Sequence, residues 1–278
     1  MKALKSVLKQ SLPTWIRVKL GRSILLPYDV SWYLGSKSWM GRQRLAALKN
    51  RHQGERCFII GNGPSLRKTD LSRLREEVTF GLNRIYLLFD QMGFSTTYYV
   101  AVNRMVIEQC AQEIAKISAP KFISWWAHDV IGLTSDMMFV RDPYRGLGFS
   151  TDATRAVWEG HTVTYAAMQI AYYLGFQQVI LIGVDHSYQA KGNPDTTVVS
   201  TGSDPNHFDP NYFGKGFRWQ LPNLASSEEA YILAKIRYEQ AGRQILDATV
   251  GGKLLVFPKV RFEEIFATPP RSPYPFSV

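Results

Sequence analysis

The feature that most constrains this chain is a repeated unit: a short, unbroken apolar run that ends at glycine or asparagine and gives way to a helical stretch. Cys57-Phe58-Ile59-Ile60 runs into Gly61. Residues 78–82 run into Asn83 and then a helical 85–92, and 97–102 run into Asn103 and a helical 106–117. Shorter runs lie at 121–126 and 137–140. An apolar helix over 164–174 stops at Gly175, as helices commonly do. The strongest run, 179–184, ends in Asp185-His186-Ser187-Tyr188. A helix over 226–241 and short strands at 245–246 and 254–257 complete the pattern. Continuous apolar strands alternating with helices predict a mostly parallel sheet covered on both faces, an α/β doubly wound, Rossmann-like fold. Ligands of such sheets bind beyond the carboxyl ends of the strands, so the residues just after each run are the ones to read for function. Asn62, Asn83 and Asn103 occupy three successive positions of this kind. A row of neutral donors and acceptors suits a base, ribose and phosphate better than a metal.

Charge divides the chain. Residues 1–51 carry eleven Lys and Arg and one acid, Asp29, while the remainder holds 22 of each sign, so the net charge of +10 lies in the first fifth. A neutral body argues against nucleic acid as a partner. Leu4, Val7, Leu8, Leu12, Trp15 and Ile16 fall at helical spacing among Lys2, Lys5 and Lys9. Lysines interrupt this segment too often for a secretory signal. A basic amphipathic arm with tryptophan suits an anionic membrane surface, through residues 1–50. The same pattern suits packing on its own domain or on a second subunit, which leaves a homo-oligomer open. No run of eighteen apolar residues predicts a transmembrane helix, and the cysteines, Cys57 and Cys110, suit a reducing compartment. The expected organisation is an arm at 1–52, a transferase domain at 53–266 with a polar lid at 186–224, and a Pro-rich tail at 267–278. The expected location is cytoplasmic, peripheral on the inner face of the cell membrane.

Gly61-Asn62-Gly63-Pro64-Ser65-Leu66 lacks the third glycine of the dinucleotide fingerprint and the Gly-Lys-Ser/Thr of the ATP phosphate loop. Two glycines admit a close phosphate and can offer an amide nest. Followed by Thr69-Asp70-Leu71-Ser72-Arg73-Leu74, this stretch resembles the opening of the bacterial family-42 sialyltransferases. It also resembles that of the 6-hydroxymethylpterin diphosphokinase-like (MptE-like) domain family shared with motility-associated glycosyltransferases. The resemblance spans roughly residues 55–265 and includes Asp247-Ala248-Thr249 and Gly251-Gly252-Lys253-Leu254 near the end. It implies a Rossmann-like nucleotide site in which Asn83 and Asn103 contact the nucleotide, with 162–175 and 178–185 as the nucleotide-side helix and strand. Thr162, Thr164, Gly183, Asp185, Ser187 and Tyr188 then join the site. The sialyltransferase Thr-Ser-Gly turn is Thr162-Val163-Thr164 here. Their phosphate-binding arginine has no match at Gly160-His161, where Arg141, Arg145 or Arg155 are substitutes.

The segment 204–216 resembles the mobile lid that carries the sialyltransferase base, which points to His207 as base, with His186 as second candidate and Tyr212 and Lys215 holding the departing phosphate. An imidazole titrating near neutrality suits that task. The implied function is a glycosyltransferase that takes a nucleotide-sugar donor, with a cytidine-monophosphate nonulosonate as the donor the sialyltransferase resemblance suggests, to a glycan or lipid-linked acceptor without a required cofactor. The alternatives are a diphosphokinase moving pyrophosphate from ATP to a pterin-like alcohol with Mg²⁺, and a non-catalytic nucleotide- or glycan-binding module. No metal site is expected. Asp185 and Asp209 are the carboxylates that could accompany Mg²⁺ with a nucleotide, and Trp125 and Trp126 fit the core better than a sugar platform.

Overall fold

The computed structural model describes residues 27–143, 146–189 and 192–267. Seven parallel strands form one sheet: β1 Arg56–Ile60, β2 Thr79–Leu82, β3 Tyr98–Ala101, β4 Lys121–Ser124, β5 Met137–Val140, β6 Gln178–Ile182 and β9 Gln244–Asp247. Their order is β5-β4-β3-β2-β1-β6-β9. Two further strands, β7 Thr197–Val199 and β8 Arg218–Gln220, pair as an antiparallel ribbon inside the polar insert. The α/β doubly wound expectation therefore holds. Chain order reverses between β1 and β6, which places the topological switch point there.

The apolar runs are strands because both of their faces are covered. Cys57 and Ile59 enter one core with Phe80, Val100 and Leu181, while Phe58 and Ile60 enter the other with Tyr99, Ile123 and Ile182. Helices α1 Ser36–Ala46, α2 Arg104–Lys116, α3 Val163–Leu174 and α4 Leu224–Gln240 are the long ones described. α3 is apolar nearly all round because the sheet covers one side and α4 the other. It ends at Gly175, whose φ of 98° only glycine adopts without strain.

Two expectations need correction. Residues 254–257 are not a strand: Leu254 and Phe257 are buried, but pairing with β9 is displaced to an Asp247–Lys259 bridge, since Pro258 cannot donate to a ladder. Nor does the structure break at residue 52. Helical residues 27–34 and α1 lie against the edge of the sheet. Trp32 is fully buried, edge-on to Trp125 at 5.5 Å, and Tyr28 stacks on Trp126 at 4.0 Å. Gly41 lets α1 approach the β5 backbone at Phe139, and Leu45 is fully buried. Backbone bonds from Asn50 and His52 to Tyr173 and Leu174 tie the following segment down. The expected helix at residues 4–16 lies outside the described residues, as do Arg145 and 268–278 of the tail.

If residues 27–46 belong to the fold, Trp32→Ala should cost about 3–5 kcal/mol in urea denaturation, the usual range for truncating a fully buried large aromatic. A loss under about 1 kcal/mol would place the segment outside the cooperative unit.

Candidate functional site

A cleft of about 720 Å³ opens over the carboxyl ends of β1, β2, β3 and β6. β1 and β6 pair in register from Arg56–Gln178 to Ile60–Ile182, so Gly61 and Gly183 leave the sheet side by side. Gly61 N–H donates to Ile182 O and Gly63 N–H to Gly183 O, each at 2.8 Å. A β-carbon on Gly61 would overlap Gly183 O, and one on Gly63 would overlap the Asp185 carboxylate. The glycines thus serve the crossing of two loops. The expected amide nest is absent: Pro64 has no N–H, and Ser65 N–H donates to Asp185 Oδ1 at 3.1 Å.

Asp185 also accepts from Ser65 Oγ at 2.7 Å. Burial raises its carboxyl above the usual carboxylate range, against the two bonds from Ser65. It is a latch between the loops more than a cation ligand. The C-terminal motif buttresses the same loop, since Thr249 Oγ1 accepts from Val184 N–H and Lys253 N–H donates to Asp185 O. Asp247, fully buried, pairs with Lys259 at 2.6 Å.

Of the expected site residues, Gly61, Asn62, Gly63, Asn83, Asn103, Thr162, Thr164, Gly183, Asp185, His186, Ser187, Tyr188, His207 and Tyr212 all line the cleft. Pro64, Ser65 and Lys215 do not: the first two begin a 3-10 turn behind the loop, and Lys215 is exposed. Asp209 is outside the lining as well and caps the turn at Asn211 N–H. The three asparagines differ. Asn103 Oδ1 caps α2 by accepting from Met105 and Val106 N–H. The Oδ1 atoms of Asn62 and Asn83 are buried and have no hydrogen-bond partner among the described residues. Buried acceptors of this kind call for a donor, such as an amino or hydroxyl group.

His207 is buried in the cleft wall with Nδ1 2.7 Å from Asp204 Oδ2. Its ring stacks on Tyr212 at 4.0 Å and meets Phe213 edge-on at 4.9 Å. Asp204 is itself fixed by the N–H groups of Asn206 and Phe213. The segment that resembles a mobile lid is anchored to the glycine loop and to Arg84. Phe208 N–H donates to Asn62 O at 2.9 Å, and Arg67 donates to the carbonyls of Phe208 and His207. Arg84 donates to the carbonyls of Asn211 and Tyr212 and lies over the Tyr212 and Phe217 rings. Tyr212, whose hydroxyl accepts from Arg84 N–H at 3.3 Å, is a platform for the imidazole, not a phosphate clamp. Asp204, Arg67 and Arg84 escaped the sequence reading. The three-residue spacing from Asp204 to His207 was the available signal for the first. His186, by contrast, is held by Glu228 at 2.8 Å and joins its loop to α4.

No lysine or arginine is among the described residues that line the cleft, whereas Asp142, Glu159, Asp185, Asp195 and Glu229 are. Arg141 pairs with Asp29 at 2.5 Å, and Arg155 is an exposed residue of a different cavity. Positive potential comes instead from three helix N-termini, those of α2, α3 and α4, capped by Asn103, Thr162 and Asn223 and free of acidic residues in their first turns. Burial, reinforced by Asp142, pushes the Glu159 carboxyl up to about 8, despite a 3.3 Å bond from Ser124 Oγ. Its loop is clamped by the buried Gln169, which bonds to Ser150 N–H, Trp158 N–H and Trp158 O.

A parallel α/β sheet with a polar cleft over its switch point is the class these features define. The family model described as 6-hydroxymethylpterin diphosphokinase MptE-like matches residues 36–191, and the chain belongs to that family. The match takes in the glycine loop, the three asparagines and Asp185, and ends before Asp204 and His207. A similar solved structure is that of the MAf glycosyltransferase from Magnetospirillum magneticum AMB-1, with 14% identity and a TM-score of 0.49. The match covers 81% of this chain and 38% of that one. No relative among curated proteins matches the chain.

The raised Glu159 has a consequence for stability. Its proton is kept in the folded protein and lost in the unfolded chain above the ordinary carboxyl range, so stability present at low pH declines as pH rises toward about 8. Glu159→Gln should therefore raise the melting temperature at pH 8 and leave it nearly unchanged at pH 4. Equal effects at both values would mean that the carboxyl is ionised in the folded state.

Proposed function

We propose that this protein is a transferase that uses a nucleotide-activated donor, a nucleotide sugar in kind, and passes the activated group to a hydroxyl of a glycan or lipid-linked acceptor. The observation that carries the reading is the Asp204–His207 pair at 2.7 Å in the cleft wall. A carboxylate that accepts from Nδ1–H leaves the lone pair on Nε2 and stabilises the imidazolium that forms. His207 Nε2 then takes the proton of the acceptor hydroxyl as its oxygen attacks the activated carbon, while the bond to the nucleotide's phosphate breaks. The buried acceptors on Asn62 and Asn83 suit the amino and hydroxyl groups of a nucleoside. The N-termini of α2, α3 and α4 offer charge to the phosphate where the described lining has no lysine or arginine. A cytidine-monophosphate nonulosonate donor is the finer form of the proposal, carried over from the sialyltransferase resemblance. On this reading no cofactor or metal is required.

The acidity of the lining favours a second reading, a diphosphokinase acting on a pterin-like alcohol. The acids of the lining other than the raised Glu159 repel a bare polyphosphate, which would have to arrive with a divalent cation. No group of three or more ligating side chains is found among the described residues, so the phosphates and one or two carboxylates would hold such an ion.

Titration calorimetry with CMP, CDP, UDP, GDP and ATP, with and without Mg²⁺, identifies the nucleotide, and donor turnover with and without EDTA then separates the readings. The transferase reading predicts activity in EDTA. It predicts a fall in kcat of about a hundredfold or more for His207→Ala and a smaller fall for Asp204→Asn, with nucleotide affinity little changed in both. Full turnover in His207→Ala removes the base. Strict Mg²⁺ dependence with ATP as sole donor replaces the first reading with the second.

A further inference from the structure

The two helices that open the described structure bury one face and leave the other to solvent. Tyr28, Trp32 and Leu45 point into the fold. On the outside, Leu34 is 81% exposed and Tyr33 and Trp39 are each 58% exposed, with Val30 and Met40 beside them in sequence. Tyr33 and Trp39 line a second cavity of about 710 Å³ together with Arg42 and Arg155. Arg42 lies over the Trp32 ring at 5.5 Å, Arg155 is exposed with Asp152 at 3.7 Å, and Lys37 is exposed on α1.

Single exposed apolar residues are ordinary. Five within eleven positions across these two helices, with Lys37 among them, are not explained by the packing of the fold. Aromatic rings with polar tips suit the boundary between headgroups and acyl chains, where an apolar face sinks in and basic residues meet phosphate. Charge selects the partner. Residues 1–26 precede this face in the sequence and carry Lys2, Lys5, Lys9, Arg17, Lys19 and Arg22 with no acid. Basic charge beside an apolar face is attracted to anionic lipid. A second copy of the chain would bring the same unbalanced charge against its own kind. A free anion would use the arginines and leave Leu34 and Trp39 idle.

We infer that the outer face of residues 30–42 is a membrane-docking surface for an anionic phospholipid bilayer. Tyr33, Leu34, Trp39 and Met40 enter the interface, and Lys37 and Arg155 meet phosphate. Docking there holds the body at a membrane surface, where a lipid-linked acceptor would lie. The inference does not depend on the chemistry of the cleft.

The test is cosedimentation of the full chain with vesicles of phosphatidylcholine alone or doped with phosphatidylglycerol. The wild type should pellet with the anionic vesicles and not the neutral ones. Leu34→Ser combined with Trp39→Ser should lower partition by about tenfold or more, as expected for withdrawing two large apolar side chains from the interface. The exposed positions should keep the melting temperature. Lys37→Glu with Arg155→Glu should weaken binding independently of the apolar pair. Absence of wild-type binding overturns the inference, and so does undiminished binding of the serine variant. If the serine variant instead converts a wild-type dimer to monomer in size-exclusion chromatography while neither form binds vesicles, the face is a self-interface and the inference fails.

Discussion

β1 and β6 run in register to Ile60 and Ile182, and the loops that leave them have to cross at backbone distance. That crossing is possible because Gly61 and Gly63 have no β-carbon, and it is closed by Asp185 on Ser65. Other features of the carboxyl edge are built on it. The crossing sets Asn62, whose carbonyl receives Phe208 N–H, and Arg67, which holds the carbonyls of His207 and Phe208. An imidazole some 140 residues later in the chain is thereby brought into the wall of the cleft. A change at the glycines would act on His207 through this chain of contacts as well as on any ligand near the loop.

The fold was readable because burial on both faces writes itself into the strands as unbroken apolar runs, as in Cys57–Ile60 and the run ending at Ile182. The place of the cleft followed from the rule that ligands sit beyond strand ends, which is why Asn62, Asn83 and Asp185 were found. What the loop glycines do was not readable. A glycine that makes room for a phosphate and one that makes room for a carboxylate look alike in sequence, and only the partner at Asp185 distinguishes them. Segment 204–213 reads as part of a polar lid because it is rich in Asp, Asn and Pro. Its aromatic residues Phe208, Tyr212 and Phe213 are the ones that bury it. The membership of residues 27–46 in the fold was masked by their charge, yet Arg44 donates to the carbonyls of Thr134 and Met137, Asp29 pairs with Arg141, and Trp32 and Leu45 lie within.

The electrostatics of the cleft pull in two directions. Its described lining holds acids and no lysine or arginine, one acid raised to about 8 at Glu159, and neither Arg141 nor Arg155 reaches it. Among the described residues, helix N-termini and neutral amides are what the lining presents to an anion. A donor with a single phosphate on its leaving group asks less of such a site than a triphosphate does, because less charge has to be compensated. This is the physical reason for placing the glycosyl-transfer reading ahead of the diphosphokinase reading within an MptE-like chain.

The central claim is that Asp204 fixes His207 with its lone pair on Nε2, ready to accept a proton. Nitrogen-15 NMR of histidine-labelled protein at neutral pH tests it directly, with His207→Gln used to assign the signal. The account predicts an imidazole protonated at Nδ1 and bare at Nε2, a preference that weakens in Asp204→Asn. A His207 protonated at Nε2 with Nδ1 bare would contradict it, since the base would then have no lone pair to offer the cleft.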